Sequence, residues 1–481
     1  MLNLIDEALV KMNTGEFLNN IKKAFNDIFS QENINKINLM NYLPEDKWLD
    51  IKNYGLLLPF LAEKFGGRKA NQFEIQEVLR IAGNYGVPVT LRTGIEGALV
   101  LQPLTEFGNN EQISKGLELI LKGEGGGLAI TEPETSGSAI AKEMQSYYEY
   151  VDENTIHLKS TKYWQGNSQS DFLLVAAKEK KDRKLSKTIS LIFVPKEYIK
   201  YEVLQSEGLK AVRYAVNNID AAIPAKYLMK LSESKANSLR EFQNIFIRSR
   251  LQLIGMTHGI MEYIVKNIKK YSRNEIKFVE REIDEIEKRY EASKIMYNYT
   301  CNNVSPDKSV ADKLMEANII KSLSTDYTYE AAKTAQKLLG AKGFEAGHPM
   351  SNIAVDFRPF TIFEGPNDML YADIYDQFSK ATSEEKKSGI RISKEQTLYE
   401  RFLSDKRFQE IKTSTENLLQ KADDIINFMK NHTLNEIDQI KKVFTGKILS
   451  KLFVLSQTDA EDLSTFLIKD IKKDILDFEY C

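Results

Sequence analysis

The sequence predicts a mainly α-helical protein with a small β-domain in its middle, and two observations carry that expectation. Apolar residues recur at three- and four-residue intervals from residue 1 to about 122, and again from about 233 to the end, which places them on one face of a helix. Between about 125 and 230 the texture changes to short runs of β-formers bounded by Gly, Asn, Asp, Ser or Pro, the pattern of antiparallel strands joined by turns. The expected domains are an N-terminal helical domain (1–123), a middle β-domain (124–231), a C-terminal helical bundle (232–384) and a helical extension (385–481).

In the first domain, MLNLIDEALVKMNTGEF reads as an amphipathic helix with acids among its apolar residues. It lacks a basic region followed by an apolar stretch and so does not read as a secretory signal. In FEIQEVLRIAGNYG, Ile75, Val78, Leu79 and Ala82 share a face and Gly83 follows. LAEKFGG ends a helix in Gly66 and Gly67, which suit a left-handed cap. The middle domain supplies the strand candidates GGLAIT, TIHLKSTKYW, DFLLVAAK, TISLIFVPK and YAVNNIDAAIP. KEKKDRKLSK between two of them is a basic hairpin loop, either solvated, as charge runs usually are, or a patch for nucleic acid or an acidic partner. Farther on, FIRSRLQLIGMTHGIMEYIVKNIKKY is one long helix, and VEREIDEIEKRYEASKIMYNYT is a charged helix keeping Ile283, Ile286, Tyr290 and Tyr297 near one face. EANIIKSLSTDYTYEAAKTAQKLLGAKGF is a third, stopped by Gly340 and Gly343. The lysine-rich extension carries no chemical motif, and no repeat of solenoid period is present.

At 481 residues the chain exceeds one compact core. Its 42% hydrophobic and 28% charged residues are ordinary for a globular protein. With 66 basic against 68 acidic residues it has no basic footprint for nucleic acid and no bias toward an anionic membrane surface. Cys301 and Cys481 are the only cysteines, which argues for a reducing, cytoplasmic setting and against a disulfide framework or structural zinc. No stretch approaches the ~18 consecutive apolar residues of a membrane span. His157, His258, His348 and His432 show neither metal-ligand nor triad spacing.

Several strings carry possible chemistry. Thr131-Glu132-Pro133 opens into the turn Thr135-Ser136-Gly137-Ser138, either a plain strand-to-loop turn or a set of backbone amides suited to a heterocycle edge, with Ser138 facing a phosphate or a substrate oxygen. Trp164, one of two tryptophans, stands beside Gln165, Gly166 and Asn167, either as a core aromatic or as a platform for a planar ligand. Glu364 follows the apolar run of PFTIFEGPND and precedes Gly365. A carboxylate buried there would be pushed toward the pKa of a useful general base, and a glycine beside it allows close backbone approach to a ligand.

WLDIKNYGLLLPFLAEKFGG, EFGNNEQISKGLELILKGEGGGLAITEPETSGS, KYWQGN and AKGFEAGHPMSNIAVDFRPFTIFEGPNDML occur in the same order as similar strings of the acyl-CoA dehydrogenase family, over roughly residues 45–375. The chain resembles that family. The resemblance implies a middle antiparallel β-barrel or sandwich, a C-terminal four-helix bundle and bound FAD. It makes Glu364 the base that removes the proton alpha to an acyl thioester carbonyl, with hydride passing from the beta carbon to the flavin. Gly365 then approaches the substrate, and Arg250 orients the Glu364 loop or, alternatively, forms an interhelical ion pair. Cofactor contacts fall on Ile130, Thr131, Ser138, Trp164 and Gly166 in the middle domain, and on Arg273, Lys337, Gly340, Ala341, Pro366 and Asp368 beyond it. The implied substrate is an acyl group on coenzyme A or an acyl-carrier protein. The implied electron acceptor is an electron-transfer flavoprotein or oxygen, and the implied assembly a homodimer or homotetramer.

Four departures from the family pattern bear on the cofactor. Glu275 falls where an arginine normally reaches the pyrophosphate, with Arg273 two residues earlier as a substitute, and Val279 replaces a glycine after the retained Phe278. Gly166 replaces a hydroxyl residue that bonds flavin N5. Lys337 replaces a glutamine, offering another positive charge, and Ala341 a glycine; Pro366 replaces the threonine after Glu-Gly. Two alternatives therefore stay open: a flavin oxidase or monooxygenase on the same fold, and a homologue that has lost FAD and serves as a binding or partner subunit.

Overall fold

The computed structural model describes residues 5–29, 43–133, 135, 140–229, 231, 235–271, 275–306, 308–348, 350–388, 424–425 and 438–480. The chain opens with α1 (Glu7–Lys11) and α2 (Thr14–Ile28). Asn13 and Glu16 cap α2 reciprocally, each side chain accepting the other's backbone N–H, so two orphan donors of the helix start are satisfied. Next come α3 (Glu45–Asn53) and α4 (Gln72–Gly83). The predicted face of α4, Ile75, Val78, Leu79 and Ala82, is fully buried. The expected helix end at Gly66–Gly67 is instead a single 3₁₀ turn, Glu63–Phe65, closed by Gly66 at φ +89°. Helix α5 (Val87–Gly94) passes through a π-helical stretch (Ile95–Leu101) into α6 (Gln102–Phe107), and α7 (Asn110–Lys122) completes the domain.

The sheet comprises β1 (Gly126–Ala129), β2 (Tyr147–Asp152), β3 (Thr155–Gln165), β4 (Phe172–Lys181), β5 (Lys184–Leu185), β6 (Ser190–Pro195), β7 (Lys200–Val203) and β8 (Ala215–Pro224), with the short helix α8 (Ile140–Glu143) before β2. Its order is β1-β4-β2-β3-β8-β7, with β5 and β6 also on β4. Most pairs are antiparallel as expected, but β1 and β2 both run parallel to β4. The reason lies in β4: Phe172–Lys178 is buried without alternation, the signature of a strand covered on both faces. Strands β2 and β7 escape the sequence pattern because three residues of the first and all of the second face solvent. The basic loop is a tight hairpin between β4 and β5, with Asp182 at φ +51° and Arg183 at φ +63°, the positive-φ pair that a two-residue turn demands.

The C-terminal domain is built from α9 (Lys235–Tyr271), α10 (Lys277–Asn303), α11 (Leu314–Leu338), the short α12 (Ile353–Phe357) and α13 (Asn367–Ser388). Helix α13 runs through the boundary expected at 384/385. The extension contributes α14 (Gln439–Leu455) and α15 (Glu461–Glu479). Ile448, Leu452, Leu467 and Ile471 of these helices share one core with Leu251, Ile320, Leu323 and Ile374 of the bundle. Lys451 is buried between Asp470 (2.9 Å) and Asp474 (2.7 Å), and Tyr327 of α11 donates to Asp470. Helices α14 and α15 are therefore an integral part of the bundle. At Gly446 a Cβ would stand 2.0 Å from the Tyr371 carbonyl oxygen of α13. Gly446→Ala is expected to push α14 off α13 and to cost about 1–3 kcal/mol, read as a lower urea midpoint; an unchanged midpoint would show that the two helices separate without loss.

Helix α9 packs along α4, where Arg80 pairs with Glu262 and Gln76 donates to the Leu251 carbonyl. Arg248 of α9 pairs with Glu106 of α6 at 2.7 Å, and the Asp356 carboxylate of α12 accepts the Leu209 amide, before β8, at 2.7 Å. Among the described residues, no helix is long and apolar enough to cross a membrane.

Candidate active site

Glu364 lies in the loop between the 3₁₀ turn Arg358–Thr361 and α13. Its φ is +57° and that of Gly365 is +105°, so a non-glycine residue is held in the left-handed region, at a cost of order 1–3 kcal/mol that the surroundings must offset. Three elements hold it there. From α9, Arg250 donates from Nε (3.0 Å) and Nη2 (2.7 Å) to the Glu364 carbonyl oxygen, and from Nη1 to Asn318 Oδ1 (2.6 Å). From α11, Lys321 donates to the Gly365 carbonyl (2.8 Å) and to Asn367 Oδ1 (2.7 Å). The Asn367 amide in turn donates to Ser322 O, Thr325 Oγ1 and Asp326 Oδ1. Arg250 thus orients the loop through its backbone.

The carboxylate has an asymmetric environment. Ser249 Oγ donates to Oε1, whereas Oε2 is buried with no hydrogen-bond partner. Burial pushes the Glu364 pKa above the ordinary carboxylate value, against the lowering effects of Ser249, Arg250 and Lys321. Desolvation likewise brings Lys321 down to about 7, the Glu364 charge opposing that shift. An unpaired oxygen on a desolvated carboxylate is the chemistry of a proton acceptor.

Sequence reasoning missed Ser249, Lys321 and Asn367. Ser249 adjoins Arg250, but its partner lies 115 residues away. Lys321 carried a readable signal: one cation among Ile319, Ile320 and Leu323 on an otherwise apolar helix stretch.

On the sheet side, the Ile130 carbonyl accepts from Lys162 Nζ (3.0 Å), and that of Thr131 accepts from the Tyr163 amide (2.9 Å) and Gln165 Nε2 (3.2 Å). Glu132 is locked by the amides of Gln145 and Ser146 and by Lys162, which leaves it a structural anchor. Ser138 and Arg273 lie outside the described residues. Trp164 is not a core aromatic. The β3–β8 register shifts between Tyr163 and Gln165, and this bulge leaves Trp164 at φ +60° with its indole 44% exposed, edge-on to Tyr163 and Tyr214. Bulges commonly re-aim a side chain in this way. Trp48, by contrast, is fully buried. At Gly166 a Cβ would meet Ile95 Cδ1 at 2.5 Å and Val212 Cγ1 at 2.9 Å. The space for a hydroxyl side chain at this position is filled.

Elsewhere, Lys337 Nζ pairs with Glu282 at 2.7 Å and lies over the Phe278 ring, so its charge is balanced within the chain. Gly340 has φ +55° with open space around it, and Ala341 and Glu275 are exposed. Pro366 precedes α13, its carbonyl accepting the Leu370 amide. Asp368 is exposed and stands 3.9 Å from Lys447 of α14.

The chain thus combines two helical domains around a small sheet with a desolvated loop carboxylate and a half-exposed indole. The chain belongs to the acyl-CoA dehydrogenase family: residues 18–124 match its N-terminal domain and residues 239–378 its C-terminal domain. Among solved structures, butyryl-CoA dehydrogenase from Megasphaera elsdenii is similar at 16% identity and a TM-score of 0.67, over 76% of this chain and 97% of that one. The prolyl acyl carrier protein oxidase AnaB is similar at 17% and 0.66, over 76% and 98%. Glutaryl-CoA dehydrogenase from Mycobacterium smegmatis, in complex with FADH2, is similar at 15% and 0.65, over 80% and 97%. Likeness at these identities establishes the fold.

Proposed function

We propose that the chain is a flavin-dependent dehydrogenase that converts an acyl thioester, carried by coenzyme A or an acyl carrier protein, to its 2-enoyl form. The observation that carries this is the Glu364 carboxylate, fixed through its own carbonyl by Arg250 and left with one buried, unpaired oxygen. That Oε2 takes the alpha proton. The Ser249 hydroxyl holds the other oxygen and limits the carboxylate to one productive orientation. Gly365 keeps the loop free of a side chain beside the base. Atoms balance: the alpha carbon gives a proton to Glu364, the beta carbon gives a hydride with its electron pair, and a carbon–carbon double bond forms.

FAD, when bound, supplies the hydride acceptor. The residues fit it on the ring side, where the Trp164 indole is half-exposed beside the backbone of Ile130 and Thr131; Pro366 and Asp368 open the helix that follows the base. Electrons then pass to an electron-transfer flavoprotein or to oxygen, peroxide release marking the oxidase.

A second reading, a family member that binds acyl chains or partners without flavin, is favoured by the Lys337–Glu282 pair and by the filled space at Gly166. The visible absorption spectrum of the protein purified without added cofactor separates them. A flavin band near one per chain is expected. Protein that stays colourless after incubation with FAD and desalting would end the dehydrogenase reading.

A further inference from the structure

We propose that Lys321 is a positioning residue for Glu364: its ammonium, bonded to the Gly365 carbonyl and the Asn367 side chain, holds the left-handed turn that aims the carboxylate and sets a second positive charge beneath it. The inference rests on Glu364 being the base.

The geometry is selective. Lys321 is completely buried. Among the other buried lysines, Lys162 lies 2.9 Å from Glu132 and Lys451 2.7 Å from Asp474; Lys52 donates to the Ile120 and Gly123 carbonyls with Glu96 3.8 Å away, and Lys178 donates to the Lys142 carbonyl. The two acceptors of Lys321 are a carbonyl and an amide oxygen, and among the described residues no carboxylate pairs with it. Desolvating an ammonium without a counter-ion costs several kcal/mol, so packing alone would favour an apolar side chain of the same length. What the ammonium adds is directional: consecutive carbonyls, of Glu364 and Gly365, are held by two cations from two helices, Arg250 and Lys321. Both carbonyls of the positive-φ pair are thereby held.

The charges facing Lys321 are few. Arg250 approaches from α9, Glu364 from the loop and Asp326 from its own helix. Asp326 is held by Asn367 and by Tyr371 of α13, with Lys447 of α14 acting on it. Asp373 of α13 is engaged by Asn318, the residue that also receives Arg250. Glu364 is thus the carboxylate coupled most directly to Lys321; burial brings Lys321 to about 7 and raises the Glu364 pKa above the ordinary carboxylate value.

The test reads Glu364 without turnover. Protein carrying 13C-labelled glutamate carboxyl groups is titrated by NMR as wild type, Lys321→Met and Lys321→Arg, with Glu364→Gln assigning the signal. Loss of the neighbouring charge in Lys321→Met is expected to raise the Glu364 midpoint by about one pH unit or more, and Lys321→Arg is expected to return most of the shift. Lys321→Gln serves in place of the Met variant should that one fail to fold. An unmoved midpoint, or equal shifts in the Met and Arg variants, would overturn the proposal. Exchange of the alpha protons of butyryl-CoA in D2O, followed on the same wild-type sample, tests the base separately. No exchange together with a Lys321-dependent midpoint would end the base reading alone; exchange with an unmoved midpoint would end the positioning role alone.

Discussion

Glu364→Gln is expected to lower alpha-proton exchange and turnover of an acyl thioester by about 10²–10⁴-fold while making the folded chain more stable at neutral and alkaline pH. Both effects come from one feature. Burial raises the carboxyl pKa in the folded protein above its ordinary value, so the native state holds this proton more tightly than the unfolded chain does. The native state is therefore unburdened below the unfolded pKa, near ~4.3. It loses stability as pH rises through the interval up to the raised folded pKa, and above that carries the full penalty. Glutamine has no proton to lose and escapes it. The melting temperature of the variant should match the wild type near pH 4 and exceed it at pH 8. A difference that does not grow with pH would show that the carboxylate is not desolvated, and the proposed base would lose its physical footing. The strain of the left-handed turn persists in glutamine and does not contribute to the difference.

The second large effect is expected at Arg92→Met, in the network beneath the sheet end that presents Trp164. Arg92 Nε donates to Glu96 at 3.1 Å, and its two terminal nitrogens reach the Glu45 carboxylate at 2.8 Å each. Glu96 is fully buried. It also accepts from Trp48 Nε1 (2.8 Å) and Asn167 Nδ2 (3.3 Å), its second oxygen has no hydrogen bond, and Lys52 stands 3.8 Å away. Removing Arg92 leaves a buried carboxylate with less compensation, a loss of about 3–5 kcal/mol in such settings, measurable by urea unfolding at pH 7. Adding Glu96→Gln should recover part of it, because the stranded charge goes too. A double variant no better than the sum of the singles would show that Arg92 acts by packing against the Trp48 ring, 4.7 Å away.

Much of this site was legible because its signals are local. Glu364 announces itself as an acid between an apolar run and a glycine, and Arg250 falls on the predicted long helix. Trp164 and Gly166 share one string, yet their fates differ for a reason no string contains. The bulge in β3 turns the indole outward, while Ile95 and Val212, from two distant segments, close the space at Gly166. Lys337 offered a free charge in the sequence, and the fold gives it to Glu282, 55 residues away. The extension carried no motif, and the integration of α14 and α15 rests on a shared apolar core, the buried Lys451 cluster and the close approach of Gly446 to Tyr371.

The sequence by itself determined the helical, β, helical order, the faces of the main helices, the hairpin turn and the loop that carries Glu364. Each of these is written in spacings of a few residues, because helix and strand periods and turn conformations are short-range properties of the chain. Only the tertiary structure decided that β4 runs parallel to β1 and β2, that Ser249 and Lys321 converge on the Glu364 loop, and that α14 and α15 complete the bundle. Those outcomes rest on desolvation and on contacts between segments far apart in sequence. Their energy depends on what surrounds a group once the chain has packed, not on its neighbours along the chain.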